Sequence, residues 1–192
     1  MLANLSAEAE ADLVLKARQG DCSAFGELVR CHHRSVVNVV YRMCGVVQLA
    51  EDAAQEAFLQ AWLHLDSFQP QSSLRNWLYR IAVNAALDVL RRASEKPSDE
   101  IESVTAADPQ PGPEAELLQR ERTTIVQQAV LELTSANRAV LVLREYGGLS
   151  YQEIAAALDI PVGTVMSRLN YARSRLRELL EPQLAYTENE NG

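Results

Sequence analysis

The amino-acid sequence predicts an all-α chain of two small helical domains joined by a flexible acidic linker. Three observations carry that expectation. Of 192 residues, 47% are hydrophobic but only 6% aromatic, and there are just 8 Gly; such a composition leans to helices over sandwiches or barrels. Apolar residues recur at about 3.6-residue spacing on both sides of the chain's centre, and no pair of alternating runs flanks a hairpin turn. Between the two halves, ASEKPSDEIESVTAADPQPGPEAE (93–116) holds four of the seven prolines and seven acids against Lys96. That segment has too little apolar surface to offset its ordering entropy, so it reads as a linker. The expected units are 1–92, the linker 93–116, a second domain 117–182, and a tail 183–192.

Each element follows from local pattern. Phe25, Leu28, Val29, Val36, Val39, Val40 and Met43 keep helical spacing, although the β-branched run VVNVV works against it. Gly20 followed by Asp21 marks a stop and a restart. Leu49, Ala53, Leu59, Trp62 and Leu63 predict a second long helix. After a loop around Ser67–Ser73, a third contains Leu74, Trp77, Leu78, Ile81, Ala82, Ala85 and Val89. In the second half, helices are expected near 117–133, 135–146, 150–158 and 162–180.

Net charge is −8 and the isoelectric point about 4.9, which excludes a uniformly basic nucleic-acid binder. The bases nonetheless form islands. Residues 61–92 carry Arg75, Arg80, Arg91 and Arg92 against two acids, and 162–177 carry Arg168, Arg173, Arg175 and Arg177 with no acid at all. The acidic linker accounts for most of the negative sign. Cys22, Cys31 and Cys44 are odd in number and form no CxxC, which predicts a reducing cytoplasm rather than a disulfide scaffold. The start MLANLSAEAEADL lacks a basic n-region, and no apolar run approaches the ~18 residues of a membrane span. A soluble, cytoplasmic chain without membrane insertion is expected. Cys31 and His32 are adjacent and Cys44 is distant, a spacing that converges poorly on one ion. Neither a metal nor any other cofactor is expected.

The most specific stretch is GGLSYQEIAAALDIPVGTVMSRLNYARSRL. Gly147 and Gly148 end one helix; Ser150 with Glu153 three positions on reads as a capping box; Leu158–Pro161 is a short turn into a second helix. This pattern is a helix-turn-helix, whose second helix enters the major groove. On that helix Val165, Leu169, Ala172 and Leu176 share the side that packs on the domain. Ser167, Asn170, Tyr171 and Ser174 point the other way, flanked by Arg168 and Arg173. Ser167, Asn170 and Tyr171 suit base edges while the arginines suit phosphates, and Asn matches adenine N6 and N7. Arg175 and Arg177 could equally pair with Glu178 or Glu181.

In the first half, Asn76, Arg80, Asn84 and Asp88 stand four residues apart, one slowly drifting stripe opposite the apolar side of their helix. Arg91 and Arg92 follow it, and Phe68, Trp77 and Tyr79 lie beside it. Exposed amides among aromatics suit contacts to unpaired bases; the competing reading makes Phe68 and Trp77 core residues and the polar stripe a solvated face. On the preceding helix Asp52, Gln55, Glu56 and Leu59 share one face. An acidic and apolar face is poor for DNA and fits a protein partner with basic residues. No nucleophile motif, Gly-rich phosphate loop or metal spacing accompanies these carboxylates, so no enzyme is expected.

Together AFGELV, AEDAAQEAFLQAW, SSLRNWLYRIAVNAALDVLRR and LSYQEIAAALDIPVGTVMSRLNYARSRLR, in this order, resemble the extracytoplasmic-function group of the sigma-70 family, a resemblance covering about residues 10–180. It implies a dissociable specificity subunit of RNA polymerase that starts transcription at particular promoters, often in a stress response. In that likeness 1–92 is sigma region 2 and 117–182 is region 4. Asp52, Gln55, Glu56 and Leu59 would dock on the clamp helices of the largest polymerase subunit. Phe68, Asn76, Trp77, Tyr79, Arg80, Asn84, Arg91 and Arg92 would recognise and hold open the −10 element. Thr164, Met166, Ser167, Arg168, Asn170, Tyr171 and Arg173 would read the −35 element, with the second domain at the polymerase flap. The linker would thread towards the active-site channel, and an anti-sigma factor is an expected partner. Met166 and Tyr171 stand where many relatives are basic, and FQPQSS lacks an Arg-Gly often found there. A stand-alone helix-turn-helix regulator is the rival reading, and it leaves 50–63 and NWLYRIAVN without a role.

Overall fold

A computed structural model describes residues 6–69, 73–95 and 114–189, all of them in helices or short connections. Among the described residues the helices are α1 (Ala7–Arg18), α2 (Cys22–Cys44), α3 (Val47–Leu63), α4 (Leu74–Glu95), α5 (Glu114–Leu131), α6 (Ser135–Glu145), α7 (Tyr151–Leu158) and α8 (Val162–Asn189), with a 3-10 turn at Leu65–Ser67. No strand occurs among them, and the all-α class is as expected. Most of the linker falls outside the described residues; α4 runs on to Glu95 and α5 begins at Glu114. The FQPQSS loop is described only in part.

Local chemistry sets the boundaries of the first lobe, α1–α4. Ser6 accepts a hydrogen bond from the Ala9 N–H and caps α1. Gly20 takes a left-handed φ of +91°, and Asp21 then caps α2 by accepting from the N–H groups of Ser23 and Ala24 at 2.8 and 3.1 Å. The VVNVV run stays helical because Val36, Val39 and Val40 are fully packed, so burial outweighs the modest propensity cost. Gly45 ends α2 at φ +73°, its N–H returning to the Tyr41 carbonyl. On α3, Ala50, Ala53, Ala54, Ala57 and Ala61 form a buried stripe of small side chains that lets α2 and α4 approach closely. Arg18 ties α1 to the connection between α3 and α4, donating to the carbonyls of Leu65 and Phe68.

The second lobe, α5–α8, packs α8 across α5, α6 and α7. It also sits on the first lobe: α6 lies against α2 and α4, α5 against α2, and α7 against α4. One apolar cluster therefore continues from Val14 to Ala172 through both lobes. Within it α4 is buried over two adjoining stripes, Leu74, Leu78, Ala82 and Ala85, and Tyr79, Val83 and Ala86.

Candidate nucleic-acid interface

The helix-turn-helix is built as its sequence dictates. Tyr146 caps the end of α6, and Gly148 at φ +71° turns the chain. Ser150 accepts from the Glu153 N–H at 3.2 Å while the Glu153 carboxylate accepts from the Ser150 N–H at 2.7 Å, so both halves of the capping box are made. Asp159 closes α7 in the left-handed conformation (φ 51°, ψ 51°), which a short polar side chain tolerates better than most. On α8, Val165, Leu169 and Ala172 are buried and Leu176 half-buried, which fixes the helix's rotation. Met166, Ser167, Asn170, Tyr171 and Arg173 are consequently exposed, and Thr164 and Arg168 are half-buried at the edges. Arg173 pairs with Glu145 at 2.7 Å and Arg175 with Glu178 at 2.9 Å, both on the surface.

The first lobe presents a groove of about 850 Å³ between α3 and α4. Trp77, Arg80, Asn84 and Arg92 line its α4 wall, and Glu56, Gln60 and His64 its α3 wall. Four of the expected −10 residues are thus brought to one opening. Asp88 also lines it, and Arg91 pairs with Asp88 at 3.0 Å on the exposed side of α4. Two expected contacts fall elsewhere. Phe68 and Tyr79 are 7% and 4% exposed, inside the core. Phe68 packs on Trp77 with ring centroids 5.5 Å apart, and Tyr79 belongs to the second buried stripe of α4. Neither ring is open to stack on a base. The sequence reading missed Gln60 and His64, although both continue the four-residue spacing from Glu56.

Asp52, Gln55 and Leu59 are exposed and Glu56 half-buried on the side of α3 opposite its alanine stripe. Leu59 and Leu63 remain 52% and 62% exposed, one turn apart, so the face is both acidic and apolar. Asp52 accepts from Gln48 at 3.3 Å and Glu56 from Gln60 at 2.8 Å.

The α4 stripe also meets the helix-turn-helix. Asn76 Nδ2 donates to Glu153 Oε1 at 3.0 Å, and Asn84 Nδ2 donates to the Ala157 carbonyl at 3.2 Å. The three cysteines are free; burial pushes the Cys44 thiol up to about 11. Among the described residues no cluster of His, Cys, Asp or Glu is placed to hold a metal ion, and no helix is long and apolar enough to cross a membrane.

A helix-turn-helix with an open reading face, joined to a second lobe with a polar groove, defines a DNA-reading transcription protein. Comparison with known proteins gives the family. Residues 28–96 match the model of sigma-70 region 2 and residues 123–176 that of sigma-70 region 4. The RNA polymerase sigma-H factor of Pseudomonas aeruginosa is 36% identical, over 94% of this chain and 98% of that protein. SigW of Bacillus subtilis is 35% identical over 87% and 94%, and the sigma-E factor of Escherichia coli K12 is 37% identical over 88% and 93%; both are named as extracytoplasmic-function sigma factors. Among solved structures, the sigma factor RpoE of Bartonella quintana, bound to the anti-sigma factor NepR, is 27% identical with a TM-score of 0.66, covering 82% of this chain and 96% of that one. CnrH, bound to the cytosolic domain of CnrY, is 28% identical with a TM-score of 0.64, covering 91% and 98%. The chain belongs to the extracytoplasmic-function group of the sigma-70 family. It directs promoter-specific transcription initiation with RNA polymerase, and the match over 28–96 disfavours a stand-alone regulator.

Proposed function

We propose the following division of labour. The lobe within 1–92 docks on the clamp helices of the largest polymerase subunit through Asp52, Gln55, Glu56 and Leu59. Its groove takes unpaired bases of the −10 element, with Asn76, Trp77, Arg80, Asn84, Arg91 and Arg92 as contacts. The lobe within 117–182 reads the −35 duplex with α8, near the polymerase flap, and 93–116 tethers the two. The observation that carries this reading is the convergence of Trp77, Arg80, Asn84 and Arg92 on one groove. An aromatic ring, a donor amide and two cations together match a stacked, unpaired, negatively charged strand. The protein acts by binding and has no catalytic site of its own, and it works in the cytoplasm. An anti-sigma factor restrains it until a stress signal; the structure of RpoE bound to the anti-sigma factor NepR supports a partner of that kind.

Run-off transcription on a randomised promoter library tests the reading. Discrete transcripts are expected only when core polymerase and this chain are both present. A chain that footprints DNA alone and adds no transcript to core polymerase would overturn it.

A further inference from the structure

Few large hydrophobic side chains are exposed among the described residues, and three of those stand on α8: Val162 (37% exposed), Met166 (49%) and Tyr171 (57%). Leu59 and Leu63 belong to the acidic and apolar face of α3, but the pair at the start of α8 has no such role. Val162, Met166 and Asn170 follow one another at four-residue steps, a single stripe along the helix. Their order matters, because a recognition helix meets base edges with its N-terminal residues. Val162 opens α8 and Met166 stands one turn further on. Helical side chains lean over the turn N-terminal to their own Cα, so the surface that Met166 covers lies over Val162 and Gly163. At Gly163 nothing of the protein comes within 4 Å of where a Cβ would stand. The leading end of the helix is therefore apolar and bare.

The chemistry of this end is unlike that of a guanine reader. Guanine is read by a cation donating to O6 and N7, whereas thymine alone offers a C5-methyl group to an apolar side chain. From Val162 to Tyr171 the one cation is Arg168, half-buried at the edge of the helix. Further along, Arg173 is held by Glu145 at 2.7 Å and Arg175 by Glu178 at 2.9 Å. Arg168 and Arg173 flank the reading face, where phosphates run, and leave its leading end without a charge. A methionine suits a methyl group physically: it is unbranched, polarizable and able to follow the contour it meets. The next residue on the stripe, Asn170, carries the amide that matches adenine N6 and N7. Four residues advance about 6 Å along a helix, less than two base-pair steps of about 3.4 Å. Met166 and Asn170 thus address neighbouring bases.

We propose that Val162 and Met166 read thymine methyl groups in the −35 duplex, beside the adenine edge taken by Asn170, and so give this chain an A·T-rich −35 element. The proposal rests on α8 being the −35 reader and adds the bases it selects. Contact of this kind involves no hydrogen bond. Its specificity comes from taking one methyl group out of water against an apolar surface, which no other base supplies at that place. Loss of that methyl group should cost about fourfold in affinity, the worth of burying one such carbon.

Holoenzyme assembled from core polymerase and the full chain selects promoters from a library randomised at the −35 element alone. The expected element is A·T-rich, with one or two thymines beside an adenine. Each thymine is then replaced singly by uracil, which deletes the methyl group and keeps every hydrogen-bonding group. At the positions facing Val162 and Met166, uracil should weaken promoter binding about fourfold. In Met166→Ala holoenzyme, uracil and thymine should bind alike at one of these positions, while Met166→Leu keeps the difference. Both variants are expected to retain the remaining −35 preferences of the wild type, which reports that α8 is folded and seated. Selection of an element without thymine, or with thymines whose replacement by uracil changes nothing, overturns the methyl reading and leaves α8 as the −35 reader. A uracil penalty that survives Val162→Ala and Met166→Ala together overturns it as well, because the methyl group is then met elsewhere. If the library returns no enriched −35 sequence at all, the assignment of the −35 element to α8 fails, and the methyl reading with it.

Discussion

Glu153 shows how much one side chain can carry, and how much of that its sequence neighbours disclose. Its carboxylate accepts first from the Ser150 N–H, is further linked to the Ser150 hydroxyl, and accepts from the Asn76 amide; these hold its pKa below the ordinary carboxylate value against opposing burial. A depressed folded-state pKa contributes stability that is present above the unfolded value and is lost as pH falls through the folded one. Glu153→Gln should therefore lower stability at neutral pH and flatten the acid limb of the stability–pH curve, the two proteins converging as pH falls, as read by denaturant midpoints. Ser150→Ala removes the cap itself and should cost about 1 kcal/mol at neutral pH in the same measurement. The capping box was legible because Ser150 and Glu153 are three residues apart. Arg138 was not: the Met43 carbonyl it caps is 95 residues away, and nothing local distinguishes its arginine from a solvated one.

At the scale of the element, α8 was read from spacing because it has one buried face, whereas α3 was read as a helix partly from Leu59 and Leu63, which are exposed, its buried face being the alanine stripe. The buried Val165, Leu169 and Ala172 force Ser167, Asn170 and Tyr171 outward. Asn170→Ala should then cost about 1–3 kcal/mol at one base position and relax preference there, measured by selection on a randomised −35 duplex. Arg173→Ala should weaken all sequences alike and lower the salt slope by about one. Its surface pair with Glu145 is half-exposed and so weakly held, and Glu145→Gln should raise affinity for every sequence. On α3 the alanine stripe turns Asp52 and Glu56 away from the core. Reversing both charges to Lys should weaken binding to core polymerase in a titration and leave −35 duplex binding intact. The helix α4 was harder to read. Its period gives one apolar side, but α2 and α3 pack on it as well as α6 and α7. A second stripe is therefore buried, and Tyr79, read as a base-stacking ring, is part of it. No pattern within α4 announces that a distant lobe covers that side.

For the whole molecule the sequence described two independent units on a tether, and the structure joins them. A continuous apolar cluster and a polar cap at the end of α2 couple the lobes, whereas a charged, proline-rich linker gives no hint of a contact between its ends. Coupling of this kind is measurable in unfolding. Both tryptophans, Trp62 and Trp77, belong to the first lobe, so tryptophan fluorescence reports that lobe alone while circular dichroism at helix wavelengths reports both. If the lobes unfold as one unit, the two probes trace coincident denaturant curves, the usual test of a two-state transition. That is the expected result for the wild-type chain. Arg42→Ala with Gln127→Ala removes the Arg42–Gln127–Tyr41 part of the polar link, leaving the Arg138 bond to Met43, and keeps each lobe's own packing in place. The fluorescence curve should then stay single while the dichroism curve splits into two steps, one of which still coincides with the fluorescence. Non-coincident curves in the wild type would mean that the lobes fold apart despite their contact, and that the apolar cluster across them is too weak to make them one cooperative body.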